Sequence, residues 1–385
     1  MVCSEEALLW LQISSAKGIG PEKWVSLARS APLEEIARLL ESAGGRERLT
    51  RRFKREVGTP DAAFVEAQMN LLKEGDFSLL SISDDSYPQL LREIYAPPLV
   101  LFCAGDIAAL SRPSICIVGS RHTTRRGLMT AQKLARGLSE RGIQIVSGLA
   151  RGIDSAAHRG ALGGEGGTSA VLGCGVNTVY PPEHAGLAKE IATRGSIVSE
   201  FPLGTPPLRH HFPQRNRILS GLSLGVVVVE AGLDSGAMGT ARWAIEQNRE
   251  VFAVPGPIDN PGSSGPHRLI REGATLVESV ADIIAELPLR GQDQERDGSQ
   301  KEQRAPATSQ RTLFESGTAR QSLTDEERVV FSALDLNPKH IDDLVQFCHI
   351  SPTFMLPLLL GLEMRGLVES CGGGTYALAA SSTRD

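Results

Sequence analysis

The chain has no Cys-x-x-Cys pair. Its six cysteines, Cys3, Cys103, Cys116, Cys174, Cys348 and Cys371, are scattered singly through 385 residues. That spacing speaks against a zinc framework or a disulfide framework and suits a reducing compartment. No glycine loop ends in Lys followed by Ser or Thr, so the signature of a nucleoside-triphosphate site is missing. The dinucleotide fingerprint is missing too. Gly173-Cys174-Gly175 opens a G-x-G, but Thr178 stands where the closing glycine belongs, and the second strand ends in Ser-Gly instead of an acidic residue. The longest apolar runs, near Val226 and near Leu358, are too short for a bilayer. The first residues carry Glu5 and Glu6 and lack the basic start and apolar stretch of a signal peptide. A cytoplasmic protein without cofactor or metal is the expectation. There is also no large excess of one charge. With a net charge of -5 and a pI near 6.0, a surface for nucleic acid has to be a local patch.

Composition divides what is present. Residues 1–72 read as short helices, and 75–287 as alternating strands and helices. Residues 288–321 are rich in Gln, Arg, Ser, Asp and Glu, too polar to order themselves, and read as a linker. Residues 322–385 form a second compact module with three helical stretches, Asp325 to Leu334, Ile341 to Phe347 and Phe354 to Arg365. A glycine turn at Gly372 to Gly374 and the run Tyr376-Ala377-Leu378 follow, which is the outline of a winged helix. Its third helix exposes almost no Arg, Lys, Asn or Gln, which favours a protein contact or structural role over base reading. Near the start, Gly18-Ile19-Gly20 between two short helices has the helix-hairpin-helix pattern, whose turn amides can hold a backbone phosphate or serve packing alone.

In the central region, the runs Ile115–Val118, Ile143–Val146, Ala170–Leu172, Ile197-Val198, Val226–Val229 and Val251–Val254 alternate with helical periodicity. Continuous Val/Ile runs are covered on both faces, so the fold class is α/β: a doubly wound, Rossmann-like parallel sheet. Ligands of such sheets lie beyond the carboxyl ends of the strands. There the chain has three glycine turns before helices: Gly119-Ser120-Arg121, Ser147-Gly148 through Arg151-Gly152, and Ser235-Gly236 through Thr240. Each can offer free amides to an anion. The segment His211 to Ser223 adds Phe212, Arg215, Asn216 and Arg217. Guanidiniums fit phosphate oxygens, and an aromatic ring fits an unstacked base. Ser147, Asp154 and His158 also invite a hydrolase reading, but spacing alone shows no hydrogen bond from nucleophile to base, and helix capping by Asp154 is the simpler role. One Asp and one His lack a third metal ligand.

Seven motifs occur in order: GSR at 119–121, SGLARGID at 147–154 with His158, Tyr180-Pro181, SEFPLG at 199–204, FPQRNR at 212–217, Ser235-Gly236 and Pro255-Gly256. Together they resemble the DNA-processing protein A (DprA/Smf) family, strongly over 75–287. The resemblance implies an extended Rossmann-like fold and a homodimer that binds single-stranded DNA and loads the RecA recombinase during natural transformation, without being an enzyme. It implies that Gly119, Ser120 and Arg121 hold phosphates, that Arg215, Asn216 and Arg217 clamp the backbone, and that Phe212 stacks a base. The apolar pair Leu269-Ile270 is the candidate dimer contact. One departure stands out: where the family more often reads SGSLIT, this chain reads SGAMGT at 235–240. That loop is similar to the one in nucleoside-monophosphate phosphoribohydrolases and keeps a nucleotide-hydrolysing enzyme as the alternative, although Glu246 comes later than such an enzyme would want.

Overall fold

In the computed structural model, residues 3–287 are described, and from the carboxy-terminal part 330–331, 333–334, 339–348, 350, 352–365, 367–372 and 375–378. The expected linker at 288–321 lies outside these residues. Two compact units divide the chain, the first ending at Asp297.

The first unit is built on nine strands: β1 (Ser78–Ser81), β2 (Val100–Gly105), β3 (Ser114–Val118), β4 (Gln144–Ser147), β5 (Thr168–Val171), β6 (Ser196–Ser199), β7 (Gly225–Val228), β8 (Glu250–Ala253) and β9 (Thr275–Leu276). Their order across the sheet is β1-β2-β6-β5-β4-β3-β7-β8-β9. From β6 to β9 all pairs are parallel, and β2 and β1 add an antiparallel edge beside β6. The six strands read from the sequence are all present. The antiparallel edge and the two-residue β9 lack long Val/Ile runs and were not read.

Alternation along the strands builds both cores at once. Ile115 and Ile117 of β3 enter one apolar cluster, Cys116 and Val118 the other, and Val227 parts from Val226 and Val228 in the same way. Helices α1 (Glu5–Ser15), α2 (Pro21–Ala28), α3 (Leu33–Glu41), α4 (Ala43–Phe53) and α5 (Ala62–Glu74) precede the sheet. Their Trp10, Leu11, Trp24 and Leu72 share one cluster with Leu79 and Leu101 of the sheet edge, so the helical start is packed into the same unit. The Gly18 turn serves this packing. Its φ is +101°, and a Cβ there would lie 1.8 Å from the Glu56 carbonyl oxygen. The Glu22 carboxylate lies against Gly20 at the start of α2, where an incoming phosphate would have to sit.

The remaining helices of this unit are α6 (Gln89–Arg92), α7 (Arg125–Ser139), α8 (Ile153–Ala161), α9 (Ala185–Arg194), α10 (His211–Gly221), α11 (Gly236–Glu246), α12 (Ser264–Arg271) and α13 (Val280–Glu286). Two of those that start beyond strand ends carry a side-chain cap. Thr124 accepts from the Gly127 amide at the head of α7, and Ser235 from Ala237 at the head of α11. The chain reverses direction across the sheet between β3 and β7, so the switch point lies between the turns after these two strands.

In the second unit, α14 (Ile341–Cys348) and α15 (Pro352–Met364) pack with a small sheet, β10 (Lys339–His340), β11 (Val368–Gly372) and β12 (Thr375–Leu378), in the order β10-β12-β11. Leu344, Met355, Leu359, Leu362 and Val368 form its core.

Leu269 corrects one expectation. It is 3% exposed and belongs to the large core cluster, with Ile270 packed partly buried against it. Leu269 therefore has no free surface for a partner. Leu269→Ala should lower the unfolding free energy by about 2–5 kcal/mol in denaturant titration, as for other buried leucines. Unchanged stability with an altered oligomer mass would contradict this placement.

Candidate nucleic-acid interface

A cleft of about 920 Å³ opens at the switch point. The first turn (Gly119, Ser120, Arg121), the amino end of α11 (Gly236, Ala237, Thr240) and one face of α10 line it. Helical phase decides which α10 residues take part. Phe212, Arg215, Asn216 and Leu219 share the face toward the cleft. Arg217 leaves on the other side and makes a two-pronged pair with Glu200, at 3.1 and 2.5 Å. It is largely buried there, so the expectation that Arg217 clamps a backbone in this cleft is corrected.

Phe212 is only partly buried and forms a wall. The exposed Arg121 guanidinium lies over its ring, 5.4 Å from the centroid, and Tyr180 leans on the same ring at 5.8 Å. An exposed cation beside an aromatic face is the pair of features that a phosphate and its unstacked base would require.

Arg215 forms the floor. It is 4% exposed, and its Nη1 donates to the carbonyls of Gly148 (3.0 Å) and Val171. A Cβ on Gly148 would come within 2.4 Å of this guanidinium, which is why a glycine stands in the second turn. Burial lowers the Arg215 pKa, countered by the negative Asp154. Burial likewise raises the Asp154 carboxyl, countered first by Arg215 and then by the amides of Ala150 and Gly148. Asp154 accepts from these amides at 3.4 and 3.1 Å, so it orders the second turn instead of serving as a base. The Arg215 Nε finds no hydrogen-bond partner among the described residues. Arg215 thus brings positive charge beneath the cleft, although its two donated bonds hold the protein's own backbone.

The other expected residues divide similarly. Ser147 is fully buried and donates to the Ile117 carbonyl at 2.6 Å, so it cannot reach a ligand. Gly152, with φ +78°, lets the second turn pack against the Ser120 carbonyl. Arg151 is exposed beside a small recess shared with Gly148, Tyr180 and Phe212, and pairs with Glu183 at 2.5 Å. Asn216 donates to the Gly236 carbonyl at 3.1 Å and joins α10 to the third turn. Thr240 lines the cleft, but only 1% of it is exposed. His158 is buried with Nδ1 2.7 Å from the Thr168 hydroxyl, and burial pushes its pKa down to about 3. Ser147, Asp154 and His158 each have separate partners and form no nucleophile-base chain. Glu246 is exposed and is not among the cleft's walls.

Sequence reasoning passed over Glu230. Its carbonyl accepts from Ser120 N at 2.6 Å. Its carboxylate accepts from Thr123 Oγ1 (2.5 Å), Thr124 N (2.9 Å), Thr124 Oγ1 (2.6 Å) and Asn260 Nδ2 (3.3 Å). Burial alone would raise this carboxyl, but the bonds from Thr123, Thr124 and Asn260 outweigh it and hold it below the ordinary value. The turns after β3, β7 and β8 are thereby stitched together, and Arg121 is carried on the result. A buried acid that follows a Val run and faces a Thr-Thr pair across the sheet can be found only once β3 and β7 are known to be neighbours.

Three outcomes follow. Glu230→Gln replaces an acceptor by a donor and should weaken the stitch by about 1–3 kcal/mol, seen as faster amide exchange over residues 119–127. Because the folded pKa is depressed, the wild-type stitch is complete at neutral pH and fades as pH falls through that depressed value. Arg215→Ala should cost about 3–5 kcal/mol in denaturant unfolding, since it strands a buried Asp154 and two carbonyls, whereas Arg121→Ala should change stability little.

Residues 78–288 match the sequence profile of DNA recombination-mediator protein A, and residues 315–374 that of the DprA winged helix domain. Protein Smf of Escherichia coli (strain K12) is 42% identical over 282 residues, 72% of this chain and 74% of that protein. Protein Smf of Synechocystis sp. is 35% identical over 98% of this chain and 99% of its own length. Among solved structures, DNA processing protein A from Streptococcus pneumoniae is similar with a TM-score of 0.58 and 37% identity, covering 73% of this chain and 93% of that one. DNA processing protein A from Helicobacter pylori, whose structure is described for its single-stranded DNA binding mode, follows with a TM-score of 0.50 and 31% identity, covering 54% and 94%. A profile spanning more than half of the chain, and relatives this similar along most of it, agree with the motif order and with the cleft at the switch point: the chain belongs to the DNA recombination-mediator protein A family, DprA/Smf.

Proposed function

We propose that this protein is a single-stranded DNA-binding recombination mediator, which protects incoming DNA and loads RecA during natural transformation. One observation carries the DNA part. Arg121 stands over the Phe212 ring at the mouth of a wide cleft whose floor holds a second, buried guanidinium. The phosphate goes to Arg121 and to the amides of the first and third turns, and its base goes to the Phe212 face. A duplex keeps its bases stacked and cannot offer one to this ring, so the site selects unpaired strands. The single-stranded DNA binding mode described for the Helicobacter pylori protein supports the same reading. RecA transfer, a homodimeric state and a cytoplasmic location belong to the proposal through family membership. The cleft binds the strand without cutting it, in keeping with the family's description as a mediator.

The test is fluorescence anisotropy with a labelled thymidine 20-mer and the corresponding duplex across a salt series. The single strand should bind preferentially, with the logarithm of affinity falling by roughly 0.7 per phosphate contact for each logarithm of salt. Arg121→Ala should cost about 1–3 kcal/mol and flatten that slope by about one contact. Equal binding of the duplex, or an Arg121→Ala protein with unchanged affinity and slope, would overturn the proposal.

A further inference from the structure

The family-like motif at 235–240 has Gly239 where the usual pattern has isoleucine, and the effect of this departure is visible in α11. A Cβ on Gly239 would meet only Asn216 Nδ2, 3.9 Å away. The space so left belongs to a second cleft of about 330 Å³, lined by Gly239, Arg242 and Trp243. It is continuous with the first: Pro213, Asn216, Leu233, Asp234, Ser235 and Gly236 line both. Gly239 and Trp243 stand one helical turn apart, on the strip of α11 adjoining the one that turns Ala237 and Thr240 to the first cleft.

From this geometry we infer a second nucleotide subsite, in which an unpaired base stacks on Trp243 in the room left by Gly239 while a neighbouring phosphate meets Arg242. This rests on the single-stranded DNA reading and extends it. Trp243 is only partly buried and lines the second cleft. Arg242 is exposed and makes no ion pair among the described residues. Asp234 is the acid on the shared rim and repels phosphate there. The backbone is thereby steered to the Arg242 side, with the base toward the indole. Stacking on an aromatic face is tolerant of sequence, as the first site also requires.

The molecule carries its own probe. Of its three tryptophans, Trp10 and Trp24 are only 2% and 1% exposed, which leaves Trp243 as the one in reach of a ligand. Titration of the full-length protein with a thymidine 20-mer should quench tryptophan emission in step with gel retardation. An abasic strand of the same length should bind through its phosphates with little quenching. Trp243→Ala should lower affinity for the 20-mer by about 5- to 100-fold, the contribution of one stacked base, and Trp243→Phe should restore affinity without the signal. Gly239→Ile should fill the space, abolish quenching and leave Arg121-dependent binding in place. Retardation of the 20-mer with unchanged emission, or equal affinity of Trp243→Ala and the parent, would overturn the subsite while leaving the first cleft standing. Absence of any retardation would bring down the DNA reading, and this inference with it.

Discussion

The cleft depends on one buried guanidinium. Arg215 reaches from α10 under the ends of β4 and β5 and donates to the carbonyls of Gly148 and Val171. Val171 is the last residue of β5 and Gly148 follows the end of β4, so the guanidinium gives backbone acceptors at the sheet margin a buried donor. Asp154 balances the charge while gathering the amides of the same turn. The arrangement fixes the rotation of α10, and with it the direction in which Phe212 faces. Buried opposite charges of this kind contribute little net stability over an apolar filling. The ring proposed to receive a base is therefore held by a residue that a reader of the sequence would assign to the ligand.

The other half of the cleft hangs on Glu230, and the two halves work by opposite charge. On the α10 side a cation collects carbonyls, and on the β3 side an anion collects hydroxyls and an amide. Both bind the protein's own groups, and Arg121 stands exposed beside them at the cleft. That is how a chain with an overall charge of -5 can present a local site for a polyanion. The positive potential comes from Arg121, from the buried Arg215 and from helix amino ends, and is opposed by Asp234 on the rim and by the hydrogen-bonded Asp154 and Glu230.

The sheet was legible because its strands announce themselves. Runs such as Ile115–Val118 and Val226–Val229 are apolar at every position, and that pattern requires cover on both faces. The three glycine turns were legible for a related reason, since close approach to a backbone or an anion admits no Cβ. What could not be read was the phase of α10. Arg215 and Arg217 are equivalent as letters, but two residues along a helix turn a side chain by about 200°. Only the fold says that one lies beneath the cleft and the other against Glu200. Ser147 was misplaced for the same reason, because successive strand residues face opposite sides of the sheet. Leu269 shows the complementary difficulty, for an apolar pair near the end of a domain reads alike whether it meets a partner or the domain's own core.

Gly239 is legible in neither way. As a letter it is only a departure from a familiar motif, and a glycine inside a helix should cost roughly 1 kcal/mol of helix propensity. Helix geometry does not ask for it, since its φ is not in the left-handed region, and no neighbouring backbone crowds it. Gly119, Gly148 and Gly152 differ from it, because in each of them a Cβ would strike an atom of the protein. A glycine required by no turn, no close packing and no positive φ leaves open space as its only structural product. Here that space lies between the first cleft and a partly buried indole, so the cost in helix propensity has a structural return in continuity: on the proposed reading, a strand leaving the Phe212 wall meets another aromatic surface before it reaches open solvent.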